Sequence, residues 1–225
     1  MLKLIELTLD KFLWIPPFQR WINARCGKRY GMDFIPSESN DTMDQVFTEY
    51  NFLDIRKDDI VLDIGANVGT LSIFIAKQGV KKVYAVEPIM IKTLNENIKR
   101  NNIKRNNIKN IEVMDGALGD GTITVSWSNN IRTINAWSLS DIIIRCGGHI
   151  DFLKCDCEGG EWCIKTDEIK NIRRIEMEVH NFTGNKNFND MLRVLYEAGF
   201  KCHTEMKTPA LMMVHAYNTY EGQYD

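Results

Sequence analysis

At 225 residues the chain is long enough for one domain with a short appendage. Hydrophobic residues make up 44% and charged residues 26%, the balance of an ordinary globular protein. A net charge of −2 offers no cationic field to attract nucleic acid or acidic membranes, and no apolar run approaches the ~20 residues that span a bilayer.

Residues 1–17, MLKLIELTLDKFLWIPP, carry Glu6 and Asp10 among apolar positions and lack a small-residue cleavage site. They read as an amphipathic helix over 2–14, packed on its own domain, and not as a signal peptide. Pro16 and Pro17 stop that helix. A second short helix is expected over 18–26, ended by Gly27, and then a turn-rich stretch over 28–41. Asp41 or Thr42 next caps a helix with Val46, Phe47 and Tyr50 on one face. Residues 1–58 are thus expected to form an N-terminal helical extension, with a substrate-covering lid as its sharper role, ahead of a domain over 59–225.

From Asp59 onward strand and helix patterns alternate. IVLDIG is a buried strand, GANVG a tight turn, and LSIFIAKQG a helix. Glycine permits positive φ and close approach of a ligand, and the helix aims unpaired N–H groups at whatever occupies the turn. KVYAVEP ends a second strand in Glu87, which can take both hydroxyls of a ribose. Singly, each signal has a plainer reading, a geometric turn or a solvated strand end; together they favour a nucleoside site. A helix follows, ending in IKRNN, repeated as a second IKRNN at 103–107. The repeat places Lys99, Arg100, Lys104, Arg105 and Lys109 in one stretch, which reads as a lengthened solvated helix end and not as a nucleic-acid patch.

A third strand over 110–120 carries Asp115, Gly116 and Ala117, where a polar group can meet a purine edge; TITVSW follows, then a helix from near Ser138. The strand over 149–159 presents Asp156 and Glu158 near its carboxyl end, with Glu161 three residues on. Ligands of open α/β sheets sit at such ends. These acids can bind a cation or act as a base, while Glu161 reads as an acid loading the first turn of a helix. On the strand over 173–180, Glu176, Glu178 and His180 alternate opposite Ile175, Met177 and Val179. His180 stands among acids and is a candidate base or metal ligand; His149, His203 and His215 have no such company. FKCHTEMK and ALMMVHAYN then form a hairpin, so a parallel sheet with helices on both faces ends in an antiparallel pair. Three of six cysteines crowd into CDCEGGEWC, but C-x-C and C-x5-C match no common zinc pattern. They read as reduced thiols of a cytoplasmic protein, buried as small apolar residues.

DIGANVGT, then YAVEP, then LKCDCEGGEW, in that order, resemble the FkbM-type branch of the class I S-adenosylmethionine-dependent methyltransferases. The resemblance covers 59 to the C-terminus. It departs at Cys157, where an aliphatic residue is usual, and at Gly160, where alanine is usual. It implies a Rossmann-like seven-stranded, mostly parallel sheet. It further implies S-adenosylmethionine held by Asp63, Gly65, Ala66, Asn67, Gly69 and Thr70, with Glu87 and Pro88 at its ribose and Asp115, Gly116 and Ala117 near its adenine. Asp156 lies where the methionine end should reach. The implied reaction is O-methylation of a small hydroxylated or sugar-like acceptor. Glu158 and His180 are the catalytic candidates, no metal ligand is assigned, and no nucleic-acid partner or membrane span is expected. The rival readings are an RNA methyltransferase, an NAD-dependent oxidoreductase, against which the missing third glycine and the hairpin tail stand, and a non-catalytic binding module on the same fold.

Overall fold

The computed structural model describes residues 29–35, 43–102, 108–127 and 130–218. The helices expected over 2–14 and 18–26, the caps Asp41 and Thr42, Cys26 and the second IKRNN at 103–107 lie outside the described residues. In chain order the elements are α1 (Met43–Glu49), β1 (Ile60–Ile64), α2 (Thr70–Lys77), β2 (Lys82–Val86), α3 (Ile91–Asn101), β3 (Ile111–Met114), β4 (Ala117–Leu118), β5 (Gly121–Trp127) and β6 (Asn130–Trp137). They continue with α4 (Leu139–Arg145), β7 (Phe152–Cys155), a 3-10 turn (Gly160–Cys163), α5 (Thr166–Ile169), β8 (Arg174–His180), α6 (Phe188–Glu197), β9 (Phe200–Thr208) and β10 (Leu211–Asn218). Among the described residues no helix is long and apolar enough to cross a membrane.

Seven strands form one sheet in the order β3-β2-β1-β7-β8-β10-β9. All neighbours are parallel up to β8, and β10 runs antiparallel to both β8 and β9, which delivers the expected hairpin. The strand order reverses between β1 and β7, so a crevice opens beyond their carboxyl ends. Strand alternation sorts the core into two layers. Leu62, Ile64, Leu153, Cys155, Ile175, Met177 and Val179 face one side with Leu139 and Ile142 of α4 and Met191 and Leu195 of α6. Val61 and Phe152 face the other, with Ile73 and Phe74 of α2 and Val46 and Phe47 of α1. Helices therefore cover both faces, as a parallel sheet requires.

The central region differs from the expected strand-then-helix. TITVSW does not lead directly to the helix; β5 turns back into β6, and β6 pairs with β4 to make a separate three-stranded sheet. NIRTINAW has polar residues at 130, 132, 133 and 135, out of step with a period of two, so its strand state comes from its hairpin partner and not from a local apolar pattern. Ser138 caps α4 by accepting the Asp141 N–H at 3.1 Å. The strand containing Asp156 also ends sooner than read, at Cys155.

The segment before β1 is tied to the domain. Tyr30 stacks on Phe47 at 3.6 Å, and Phe47 meets Phe74 edge-on. Asn97, fully buried on α3, accepts the Ile35 N–H at 2.8 Å and donates to the Val68 carbonyl at 2.9 Å. Asn97→Leu removes both bonds and is expected to cost about 2 kcal/mol. Thermal melting should register this as a fall of roughly 4–8 °C. An unchanged melt would mean that Asn97 is not part of this tie.

Candidate functional site

The glycine turn between β1 and α2 is built by backbone geometry. Gly65, Asn67 and Gly69 have φ of 76°, 53° and 90°. A Cβ on Gly65 would lie 1.7 Å from the Asp156 carbonyl oxygen, so β7 passes where a side chain would be. Gly65 and Ala66 donate their N–H groups to Val86. Glu87, 5% exposed at the end of β2, receives Asn67 N–H at 2.8 Å on Oε2, and Ile89 and Met90 N–H at 2.6 and 2.8 Å on Oε1. Burial raises its pKa, and these three bonds and Lys154 act against that. The carboxylate is thus held rigidly while keeping one unused lone pair, on Oε2.

A cavity of about 400 Å³ opens beside it. Gly65, Asn67, Glu87, Pro88, Gly116, Ala117, Asp156 and Glu158 line it, and Ile123 and Thr124 of the small sheet form a further wall. This size suits a cofactor or drug-sized ligand. Gly116 faces the Trp137 ring so closely that a Cβ there would come within 2.3 Å of it. Asp115 does not line the cavity. Its carboxylate is paired with Arg132 at 2.7 Å, and the same guanidinium donates to the Pro88 carbonyl at 2.6 Å, which fastens the small sheet to the end of β2.

A second cavity, about 140 Å³, is lined by Tyr50, Asp63, Thr70, Lys154 and Glu178, and shares Gly65, Asn67, Asp156 and Glu158 with the first. Asp63 and Lys154 in its lining begin a row of charges that strand register sets across one face of the sheet and that runs on beyond the cavity. Asp63 on β1 pairs with Lys154 on β7, and Lys154 with Glu176 on β8. Lys154 Nζ stands 3.5 Å from Asp63 and 3.4 Å from Asp156, and donates to the Gly65 carbonyl at 2.9 Å. Burial alone would lower its pKa, but Asp156, Asp63 and Glu178 outweigh it and hold the lysine charged. Ser72 donates to Asp63 at 2.6 Å. Three buried polar atoms, Asp63 Oδ1, Asn67 Oδ1 and Thr70 Oγ1, have no hydrogen-bond partner. All three surround the glycine turn.

Tyr50, reaching in from the segment before β1, approaches Glu178 at 2.7 Å and Asp156 at 3.0 Å through its hydroxyl. One hydroxyl proton serves one carboxylate at a time. Burial first and Asp156 second push Glu178 up to about 7, so a second proton is readily held there. His180 is 6% exposed. Its Nδ1 lies 3.1 Å from Glu161, and its Nε2 lies 3.5 Å from Glu158 and 3.6 Å from Glu178. Burial works against a charged imidazole, yet Glu161, Glu158 and Asp156 together raise its pKa. Glu158 has φ of 56°, uncommon for a residue with a side chain, and this turns it out of the strand line to the cavity mouth.

The structure therefore brings Asp63, Gly65, Asn67, Thr70, Glu87, Asp156, Glu158 and His180 together, with Pro88, Gly116 and Ala117 on the far wall. Ala66 lines the small cavity, Gly69 supplies the left-handed turn before α2, and Asp115 stands apart on Arg132. Three further readings change. Glu161 does stand in the first turn of the 3-10 helix, but it is also fully buried and accepts N–H bonds from Gly159 and His180. His215 does have acidic company, because β10 pairs with β8 in a register that sets it 2.6 Å from Glu176. Glu176 belongs to that pair and to Arg174, outside the site. Sequence reasoning missed Tyr50 and Lys154. Lys154 had a signal, a lone lysine inside an apolar strand; Tyr50 had none.

The profile of the methyltransferase FkbM domain matches residues 63–202, which contain the glycine turn, Glu87, the acidic block and His180. The chain belongs to the FkbM methyltransferase family. An FkbM methyltransferase from Methylobacillus flagellatus has a similar structure, with a TM-score of 0.56 and 18% identity over 77% of this chain and 47% of that one. The chain thus spans about half the length of that protein. Precorrin-6y C5,15-methyltransferase from Geobacter metallireducens is similar in fold, with a TM-score of 0.53 and 11% identity over 83% of this chain and 95% of that one. A stretch of 42 residues is 57% identical to protein arginine N-methyltransferase 1 of rice, covering 19% of this chain and 10% of that one. The FkbM domain seen here is an S-adenosylmethionine-dependent methyltransferase domain, and the Rossmann-like sheet expected for it is the one observed.

Proposed function

We propose that the chain methylates a hydroxyl of a small, polar, sugar-like acceptor, using S-adenosylmethionine held in the 400 Å³ cavity. The observation that carries the cofactor site is the pair of buried atoms without hydrogen-bond partners, Asn67 Oδ1 and Thr70 Oγ1, beside the Asp63 carboxylate and around a turn whose glycine admits close approach. Buried polar groups without partners need a ligand that supplies them. An amino-acid end satisfies them, and Glu87 with its spare lone pair on Oε2 accepts a ribose hydroxyl. Gly116 and Ala117, beside Leu118 and Ile123, leave an apolar slot for a purine ring. Asp115 supports this slot through Arg132 and is not assigned a contact of its own. Pro88 walls the ribose side, and Gly69, through its left-handed φ, starts α2 so that its N–H groups face the turn. Lys154, charged and buried, fixes Asp63 and Asp156 at the methionine end.

When bound, the cofactor supplies a methyl group already activated on a sulfonium. The protein's task is then to place an acceptor oxygen in line and to exclude water. Asp156 and Glu158 line both cavities, so an acceptor in the smaller one faces the larger. Glu158, at the mouth, would receive the proton that the acceptor hydroxyl loses on methylation. His180 holds that carboxylate from behind at 3.5 Å. The described residues 43–58 act as a cover on the acceptor side of a domain over 59–225; Tyr50, which reaches both Asp156 and Glu178, supports this. A cytoplasmic setting is in keeping with five free cysteines among the described residues. Cys155 and Cys157 Sγ are 3.6 Å apart, a hydrogen bond between free thiols and not a disulfide.

S-adenosylmethionine is expected to raise the melting temperature of the full chain, and Glu87→Ala to weaken its binding about 100-fold through the lost charge-assisted bonds. Thermal melting measures the first and calorimetric titration the second, and an unperturbed affinity in the variant would remove Glu87 from the site. Transfer of labelled methyl to a panel of hydroxylated metabolites and of RNAs tests the acceptor. Labelling of RNA alone, weakening steeply with salt, would overturn the small-molecule reading.

A further inference from the structure

We propose that Asp156, Glu158 and His180 bind one divalent cation of the magnesium or manganese class, placed to hold the acceptor hydroxyl. This rests on the methyltransferase reading of the same site and refines the part played by Glu158 and His180.

The three side chains each offer a ligand atom, and these atoms lie within 4.8 Å of one another. Ligands about 2.1 Å from an octahedral ion stand roughly 3.0 Å apart when adjacent and 4.2 Å apart when opposed. The 3.5 Å between His180 Nε2 and Glu158 falls in that range and is too long for a good hydrogen bond. His180 supports the reading independently. It is more than nine-tenths buried, and its ring hydrogen bond is made through Nδ1 to Glu161. That leaves Nε2 aimed at the site with carboxylates 3.5 and 3.6 Å away. A buried carboxylate behind one ring nitrogen, with the other turned toward acidic ligands, is the arrangement that orients a metal-ligating histidine. Glu161 is fixed for the task by the N–H groups of Gly159 and His180, so ring and backbone of His180 are gripped together.

Charge points the same way. Asp63 and Asp156 flank Lys154, while Glu158, Glu161 and Glu178 surround His180. Lys154 serves the Asp63 side and the Gly65 carbonyl, and Tyr50 takes the inner oxygen of Asp156. The outer side, toward Glu158 and His180, is left with excess negative charge that a divalent ion offsets. Two carboxylates and one imidazole, with open positions for water and substrate, suit manganese or magnesium better than zinc. A hydroxyl bound to such an ion is made more acidic. In this refinement Glu158 holds the cation in place of the proton, and the hydroxyl proton leaves to bulk water through the open mouth as the methyl group arrives.

The test is manganese binding by the full chain after chelator treatment, read from the loss of the free Mn²⁺ resonance, with and without S-adenosylmethionine. One ion per chain is expected, with nitrogen modulation in the pulsed spectrum from His180. Glu158→Gln should weaken binding at least 10-fold. His180→Ala should abolish the nitrogen signal, and Glu161→Gln should weaken binding about 10–100-fold while broadening that signal. The Glu158 side chain is 57% exposed, so its variant remains informative even if buried substitutions impair folding. Absence of stoichiometric binding, or binding indifferent to Glu158→Gln, overturns the proposal. A melting shift with S-adenosylmethionine but no bound Mn²⁺ would refute the cation and leave the methyltransferase reading standing; bound Mn²⁺ without that shift would do the reverse.

Discussion

Gly65→Ala is expected to abolish cofactor binding and to destabilise the domain by more than about 3 kcal/mol. Two effects combine. A residue with a Cβ at φ of 76° costs on the order of 1 kcal/mol or more. The larger effect is spatial, because the new methyl would lie 1.7 Å from the Asp156 carbonyl oxygen. Relief requires β1 and β7 to part at their carboxyl ends, where both cavities meet. Gly79→Ala separates the two effects. Its φ is 83°, yet nothing lies within 4 Å of the added carbon. It should cost only about 1 kcal/mol and leave binding intact. Melting curves and S-adenosylmethionine titrations of both variants provide the comparison. Equal losses would mean that backbone strain alone, and not the approach of Asp156, governs the turn.

Lys154→Met should be the most damaging substitution outside the turn. Lys154 is 5% exposed and stands between Asp63, which is 1% exposed, and Asp156. Removing the ammonium leaves two carboxylates in a poorly solvated site without a counter-charge, a change that costs about 3–5 kcal/mol. For a domain of this size that is a fall in melting temperature of roughly 10 °C. Binding of S-adenosylmethionine should fall as well, because the Gly65 carbonyl loses its donor. The double variant Lys154→Met with Asp63→Asn restores charge balance on one side and should recover part of the stability. A single variant as stable as the parent would show that solvent reaches this row freely.

Much of the site was legible because its signals are local. The turn is one strand end, three residues in left-handed conformation and one helix start, all within ten residues. Glu87 follows at the next strand end, where the βα repeat puts it beside the first. The acids of CDCEGGEW announced themselves by standing at a strand end without an apolar excuse. Asp115 marks the limit of such signals: a polar residue at a strand end can face the crevice or its rim, and Arg132, from a strand the sequence did not announce, draws it to the rim.

What the sequence determined by itself is the repeated βα pattern, the hairpin tail, the glycine turn and the family. Each depends on periods of two and 3.6 residues, or on backbone conformations that few residue types adopt. The tertiary structure alone decided which charges meet. Strand register carried Asp63, Lys154 and Glu176 into one row, chain return set His215 on Glu176, and a segment more than a hundred residues away brought Tyr50 to Asp156 and Glu178. Glu161 likewise gained its meaning only when β8 placed His180 above it. Such pairings are set by the packing of elements distant in sequence, and no local pattern in the chain records them.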